Sequence, residues 1–266
     1  MAKICSLSFL RQLAAPAVMA CTVWLTVSPA QATTPFQDNM AQRTQACTAC
    51  HGPQGRAAPD GYYPRLAGKP AGYLYNQLLN FREGRRHYGL MTRLIDPLSN
   101  AYLMEIAQYF SDLEVPYPAP LPSAAPVEVL KLGQQLVLHG DASRKLPACV
   151  QCHGATMTGV VPHTPGLLGL PRDYLNAQLG AWKAGQRRGH APDCMKAVVE
   201  RLSLQDINAV ASWVAAQPLP ADTHPALQRP TLPAGSSAVT FDCGSAVLPA
   251  ATAAASTSAV PTKAVP

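Results

Sequence analysis

The sequence contains few aromatic and few charged residues. Of its 266 residues, 6% are Phe, Trp or Tyr and 14% are Asp, Glu, Lys or Arg. It has no basic run with interleaved aromatic side chains, which is the pattern of a nucleic-acid-binding surface. The formal net charge is +6, and Lys3 and Arg11 contribute two of these charges. We therefore expect no nucleic-acid partner.

An apolar run near the N-terminus is too short for an ordinary membrane span. Residues 13–27 carry no charge, but about 15 residues fall short of the roughly 20 that a transmembrane helix needs. Lys3 and Arg11 precede the run and an A-x-A motif follows it at residues 30–32, as in a secretory signal peptide. We predict a signal peptide at residues 1–32. The alternatives are an uncleaved leader that anchors the protein in the membrane and lipoprotein processing at Cys21.

Four of the eight cysteines lie in two copies of the motif C-x-x-C-H, at residues 47–51 and 149–153. This motif attaches c-type haem, because two thiols bind the porphyrin and the adjacent imidazole binds the iron. The sequence therefore predicts two haem c groups. We expect covalent attachment at Cys47, Cys50, Cys149 and Cys152, and iron ligation by His51 and His153. The alternative is a four-cysteine zinc site, which does not require the two histidines.

After residue 32 the sequence repeats itself at a spacing of 101 to 104 residues. The matches continue beyond the motifs: Leu66, Gly68, Pro70, Tyr73, Gln77 and Arg86 recur as Leu167, Gly169, Pro171, Tyr174, Gln178 and Arg187. Such self-similarity indicates two copies of one structural unit. We predict a first domain at residues 33–114 and a second at 127–217. A proline-rich linker at 115–126 joins them, and a Pro/Ala-rich tail at 218–266 is expected to be disordered.

Both domains are predicted to be all-α, because apolar residues recur at helical spacing. Helices are expected at residues 35–46, 71–83, 127–138 and 172–183, and a last helix after Ser99 and after Ser203. The last helix carries an apolar stripe in each domain, formed by Leu103, Ile106, Ala107 and Phe110 and by Ile207, Val210, Ala211 and Val214. No strand is predicted.

The second axial ligand of each iron is expected to be a methionine, as in cytochromes c that transfer electrons. Met91 and Met195 lie in matching loops, 40 and 42 residues after their histidines. Met157 follows His153 by four residues, which span at most about 14 Å, and Met104 is expected in the core. We predict Met91 and Met195 as ligands. For each of them, the alternative is a methionine that fills a gap in the core.

Basic residues flank both methionine loops: Arg85, Arg86, Arg93, Arg187, Arg188 and Lys196. We expect them on a solvated face, or close to haem propionates, or in a position to steer a redox partner. Four histidines outside the motifs are expected at the surface, with the alternative that one of them replaces a methionine as an iron ligand: His87, His139, His163 and His190. Because the propionates of two haems are ionised, the assembled protein is expected to be close to neutral.

Four features together resemble the cytochrome c4 family: the duplicated C-x-x-C-H motif, the P-x-L-x-G-x-P-x-x-Y segment at residues 64–73, the F-R-x-G at 81–84 and the downstream methionines. The resemblance covers residues 35–217. It implies two class I cytochrome c domains that act as a periplasmic electron carrier, with a redox donor and acceptor such as a dehydrogenase and a terminal oxidase. The longer second methionine loop and the C-terminal tail depart from the family pattern.

Two other functions stay open at this point. One is a cytochrome subunit of a membrane-bound dehydrogenase, which would associate with the membrane surface. The other is a two-haem peroxidase, which needs an iron position that no methionine closes.

Cys194 and Cys243 remain once the leader and both haem motifs are set aside. Disulfides persist in the oxidising compartments to which secreted proteins go, so a bridge between these two residues is predicted. It would hold the tail across the second methionine loop. The alternative is a pair of free thiols.

Overall fold

The computed structural model describes residues 38–58, 60–120, 122–231 and 241–249. The predicted signal peptide at residues 1–32 lies outside these ranges, and the predicted domain boundaries stay predictions. Within the described ranges, no helix is long and apolar enough to cross a membrane.

The described part of the chain is mainly helical, as predicted. Its α-helices are α1 (Met40–Arg43), α2 (Gln45–His51), α3 (Ala71–Arg82), α4 (Gly89–Ile95), α5 (Asn100–Ser111), α6 (Val127–Leu138), α7 (Cys149–His153), α8 (Arg172–Lys183), α9 (Cys194–Glu200) and α10 (Leu204–Ala215). The predicted helices at 127–138 and 172–183 coincide with α6 and α8. Gly84 and Gly185 follow α3 and α8 with φ of +71° and +73°, the left-handed conformation with which many helices end.

The segment that leads into the first C-x-x-C-H motif differs from the prediction. Residues 35–37 of the predicted helix lie outside the described residues, and from residue 40 the chain forms α1 and α2 instead of one helix, with the motif itself within α2. The break is at Thr44, whose hydroxyl donates a hydrogen bond to the Met40 carbonyl (2.6 Å). Such a side-chain bond to the preceding turn competes with the helical backbone, which accounts for the interruption.

The last helix of each predicted domain begins where expected. The Ser99 hydroxyl accepts a hydrogen bond from the Tyr102 N–H (3.2 Å) at the start of α5. At the start of α10, Ser203 and Asp206 form a capping box, in which each side chain accepts from the backbone N–H of the other. The box satisfies two N–H groups that a helix start leaves unpaired. All eight predicted stripe residues on α5 and α10 are buried.

The buried stripes belong to two separate hydrophobic cores. The first core is built mainly from α3 and α5, and the second from α6, α8 and α10. In the second core α6 and α10 come into direct contact, because a Cβ atom on Gly133 would lie 2.2 Å from the Ala209 carbonyl oxygen. A residue with a side chain at position 133 would force the two helices apart.

A short antiparallel hairpin departs from the all-helical prediction. Its strands are β1 (Gly159–Val160) and β2 (Thr164–Pro165), with Gly159 paired to Pro165. Strands of two residues are too short to show an alternating pattern, so the sequence carries no signal for them. The hairpin directly follows the second C-x-x-C-H motif and fixes the position of Pro165.

Two arginines and two glutamines join the halves in a reciprocal cluster. The Gln77 side-chain oxygen accepts hydrogen bonds from Arg86 (3.2 Å) and Arg187 (2.9 Å). The Gln178 oxygen accepts from the same arginines, both at 2.8 Å. Because the two pairs occupy matching positions of the repeat, the arginine of each half donates a hydrogen bond to the glutamine of the other. The expectation of a solvated face is wrong for Arg187, which is 4% exposed.

The C-terminal tail makes specific contacts in its described residues. The Ala226 N–H donates to the Gly159 carbonyl (2.9 Å), and the Ala246 N–H donates to the Asn76 side-chain oxygen (2.9 Å). Leu248 packs against the first core. The prediction of disorder is therefore wrong for residues 218–231 and 241–249, because long-range contacts hold a segment that has little core of its own.

Candidate functional site

The first C-x-x-C-H motif presents a buried, oriented imidazole. His51 is the last residue of α2, and its Nδ1–H donates a hydrogen bond to the Pro64 carbonyl (2.8 Å). Burial lowers the pKa of His51, so the ring is held in the neutral form. With Nδ1 protonated and bound, Nε2 is the nitrogen with a lone pair for a metal.

The second motif repeats this geometry. His153 is the last residue of α7, and its Nδ1–H donates to the Pro165 carbonyl (2.8 Å). Burial lowers the pKa of His153, and the nearby positive charges of Lys69 and Arg229 lower it further. Pro64 and Pro165 occupy matching positions of the repeat. Pro64 opens the P-x-L-x-G-x-P-x-x-Y segment noted above, but the role of the two proline carbonyls as acceptors for the imidazoles was not predicted.

The four motif cysteines form no disulfide, and each is half-buried. Burial raises the pKa of Cys47 and of Cys152, and it raises the pKa of Cys149 to about 12. The sulfur atoms of these three residues therefore lie in apolar surroundings. Two thiols one helical turn apart with an adjacent neutral imidazole are the donor set of haem c, and the residues present fit that group.

Both motifs open into one continuous cavity of about 950 Å³. Its lining includes the two histidines, the four motif cysteines and the Arg86–Arg187 cluster between them. Much of the remaining wall is apolar, including side chains that belong to the two cores, such as Leu74 and Leu175. A large apolar cavity with a few polar groups is the usual form of a cofactor site. Because it is continuous, groups bound at the two motifs would border one connected space.

The predicted methionine ligands line this cavity. Met91 lies in α4 and Met195 lies in α9, so the prediction that they sit in loops is wrong: each loop contains a short helix. Met104 packs against the first core and Met157 is 4% exposed in the second core. Neither Met104 nor Met157 is among the described residues that line the cavity.

Two of the four additional histidines, His163 and His190, are half-buried. His163 contacts the first half, with the Asn76 amide nitrogen 3.4 Å from its Nδ1. His190 lies between the halves beside Arg85, 3.0 Å from its guanidinium. Both line the cavity, and burial lowers the pKa of His190.

Lys69 is a buried cation that sequence reasoning missed. Its side chain is 3% exposed and its Nζ donates to the Gly166 carbonyl (2.7 Å) in the other half. Gly166 follows Pro165, so the ammonium group lies beside the peptide that orients His153. Burial lowers the pKa of Lys69 to about 7. A signal was present: the repeat places apolar Leu170 at the position that matches Lys69.

The predicted disulfide is present, which confirms that prediction. Cys194 and Cys243 are bonded, at a sequence separation of 49 residues. Cys194 is the first residue of α9 and precedes Met195. The disulfide therefore attaches the tail to the helix that carries the second candidate methionine ligand.

Comparisons with known proteins agree with this site. The family model for cytochrome c matches residues 39–108. The chain is 41% identical to the thiosulfate dehydrogenase electron acceptor of Thiomonas intermedia over 65% of this chain and 79% of that protein.

Two solved structures share the fold. One is reduced cytochrome c4 from Pseudomonas stutzeri, with a TM-score of 0.55 and 30% identity over 66% of this chain and 96% of that one. The other is the thiosulfate dehydrogenase TsdBA from Marichromatium purpuratum, with a TM-score of 0.58 and 34% identity over 65% of this chain. This chain spans 36% of that longer protein.

These similarities and the duplicated donor sets agree on a c-type cytochrome that binds haem c covalently and carries electrons. The sequence repeat, the capped helices and the apolar cavity are all consistent with the resemblance noted from the sequence. The chain belongs to the cytochrome c4 family.

Proposed function

We propose that the chain binds two haem c groups and passes single electrons from a dehydrogenase to a second redox protein in the periplasm. One observation carries the proposal: the same donor set, a buried imidazole held by a proline carbonyl, occurs twice on one cavity. Bound haem c supplies a one-electron change between ferrous and ferric iron. Residues of this chain hold it through Cys47, Cys50, Cys149 and Cys152.

The axial positions are assigned to His51 and Met91 in the first site and to His153 and Met195 in the second. Both methionines line the cavity, and a thioether ligand raises the reduction potential of a haem. If these residues hold the iron on both sides, no position on either iron would be open to peroxide. This favours a carrier over the peroxidase alternative.

The electron donor is proposed to be a thiosulfate dehydrogenase. The support is the name of the Thiomonas intermedia relative, an electron acceptor of that enzyme. The alternative partner is another dehydrogenase, with this chain as its cytochrome subunit at the membrane surface. The periplasmic location rests on the predicted signal peptide and on covalent haem attachment.

Two measurements test this function. Pyridine haemochrome analysis of the holoprotein is expected to give two c-type haems per chain, and a single haem contradicts the proposal. The oxidised protein is then mixed with a purified thiosulfate dehydrogenase and thiosulfate. Rapid reduction of both haems supports the proposed donor. Reduction no faster than with thiosulfate alone removes this donor and leaves the carrier function to be tested with other dehydrogenases.

A further inference from the structure

The C-terminal tail is built into the second half of the cavity. Five residues beyond α10 line it: Arg229, Phe241, Cys243, Gly244 and Ser245. They come from two described segments, residues 218–231 and residues 241–249, and the second of these is called the C-terminal strap here.

The strap is fixed to the second methionine helix at one end. Besides the Cys194–Cys243 bond, the Gly244 N–H donates to the Pro192 carbonyl (2.9 Å). A Cβ atom on Gly244 would lie 2.1 Å from the Ala191 carbonyl oxygen. The strap backbone therefore lies directly against the segment that enters α9, with no space between them.

The other end of the strap is fixed to the first half. The Ala246 N–H donates to Asn76 on α3, and Ala246 and Leu248 pack against the first core. Val247 between them is 92% exposed. This alternation is that of an extended chain with one face bound. The strap thus runs from α9 to α3 and is attached at both ends.

The preceding segment adds a second contact near the same site. Ala226 pairs with the hairpin after the second motif, where the Val161 N–H donates to its carbonyl (3.0 Å). This pairing brings Arg229 to the cavity wall, close enough for its charge to act on both Cys152 and His153. Tail residues therefore border the second site on the motif side as well as on the methionine side.

Among the described residues, no corresponding disulfide attaches the tail to the first methionine helix. Helix α4 carries Met91 but no cysteine, and Leu90 and Leu94 on it are 61% and 39% exposed. The C-terminal strap, which lies outside both copies of the repeat, is therefore bonded to the methionine helix of the second copy and not to that of the first within the described residues.

We infer that the C-terminal strap is a covalently anchored cover of the second haem site. It holds α9, and with it Met195, closed against the cavity, so that outside molecules reach the second site less readily than the first. The inference rests on the proposed function where it treats Met195 as an iron ligand. The strap contacts themselves do not depend on that assignment.

The test uses imidazole, a small ligand that must displace a methionine to bind ferric iron. Holoproteins are prepared in a Met91→Ala background, in which the thioether-to-iron absorption band reports the second site alone. Deletion of residues 241–266 with Cys194→Ser removes the strap, whereas deletion of residues 250–266 keeps it and is the matched control. We expect at least a tenfold higher imidazole association constant without the strap and no change in the control. Equal constants in all variants overturn the inference.

Amide hydrogen exchange of residues 190–200 provides a readout that does not depend on haem ligation. Exchange is expected to be faster in the strap deletion than in the control, and equal rates overturn the inference. If the strap deletion fails to fold, Gly244→Val in the full chain displaces the strap and keeps the disulfide, with Val247→Ala, at a 92% exposed strap residue outside the cavity lining, as its control. If Met91→Ala leaves the absorption band at full strength, the axial assignment is wrong. Hydrogen exchange alone then tests whether the strap covers the second site.

Discussion

Replacement of Lys69 by methionine tests the contact between the two halves directly. Lys69 is 3% exposed and its Nζ donates to the Gly166 carbonyl across the boundary. Burial is the main cause of its lowered pKa, about 7, and the positive charge of Arg65 adds to it. Methionine has a similar length and no charge, so Lys69→Met removes the titrating group while keeping most of the packing.

The magnitude follows from the two pKa values. In the unfolded chain Lys69 titrates near its ordinary value of about 10.4. Folding therefore weakens proton binding at Lys69, and the resulting loss of stability is at most about 5 kcal/mol at 1.36 kcal/mol per pKa unit. This destabilisation by Lys69 reaches nearly its full size below about pH 7 and disappears above about pH 10.4. Between pH 7 and pH 9 the wild type should gain about 2 kcal/mol relative to Lys69→Met.

The assay is urea unfolding of the ferrous holoproteins at pH 7, 8 and 9. The contributions of all other titrating groups to the free energy of unfolding cancel when the two variants are compared. Lys131→Met is the matched control, because the Lys131 side chain is 67% exposed. The free energy of unfolding of Lys131→Met should change with pH as that of the wild type does. If the free energies of unfolding of Lys69→Met and the wild type change with pH in the same way, Lys69 is not buried at the interface.

Three further predictions concern the haem ligands, the reciprocal cluster and the second core. Met91→Ala and Met195→Ala should each remove one thioether-to-iron band and lower one reduction potential; loss of both bands in either variant contradicts separate ligation. Gln77→Leu removes one of the two acceptors that Arg86 and Arg187 share, and we expect a loss of about 1–3 kcal/mol in urea unfolding. Gly133→Ala should cost about 1–3 kcal/mol because its Cβ meets the Ala209 carbonyl. Gly180→Ala, with nothing within 4 Å of its Cβ, should instead stabilise α8 by up to about 1 kcal/mol.

The donor sets and most helices depended on local information and were predictable. A C-x-x-C-H motif places its thiols and imidazole by spacing alone, so the cofactor class was evident from residues 47–51 and 149–153. The stripes on α5 and α10 and the Ser203 cap depend on neighbours within a few positions, and the structure confirms them. The break at Thr44 shows the limit, because a single side-chain bond outweighed the helical pattern there.

Apart from the Cys194–Cys243 bridge, contacts between residues distant in the chain could not be predicted, because a one-dimensional pattern does not say which surfaces meet. Arg187 and Gln77 are 110 positions apart, and Ala246 and Asn76 are 170 apart. Composition favoured a solvated Arg187 and a disordered tail. Tertiary packing instead buries Arg187 and attaches the described part of the tail. The sequence by itself determined the haem chemistry and the repeated helical units. Only the tertiary structure decided that the two sites share one cavity, that Lys69 reaches the second of them, and that the tail closes over it.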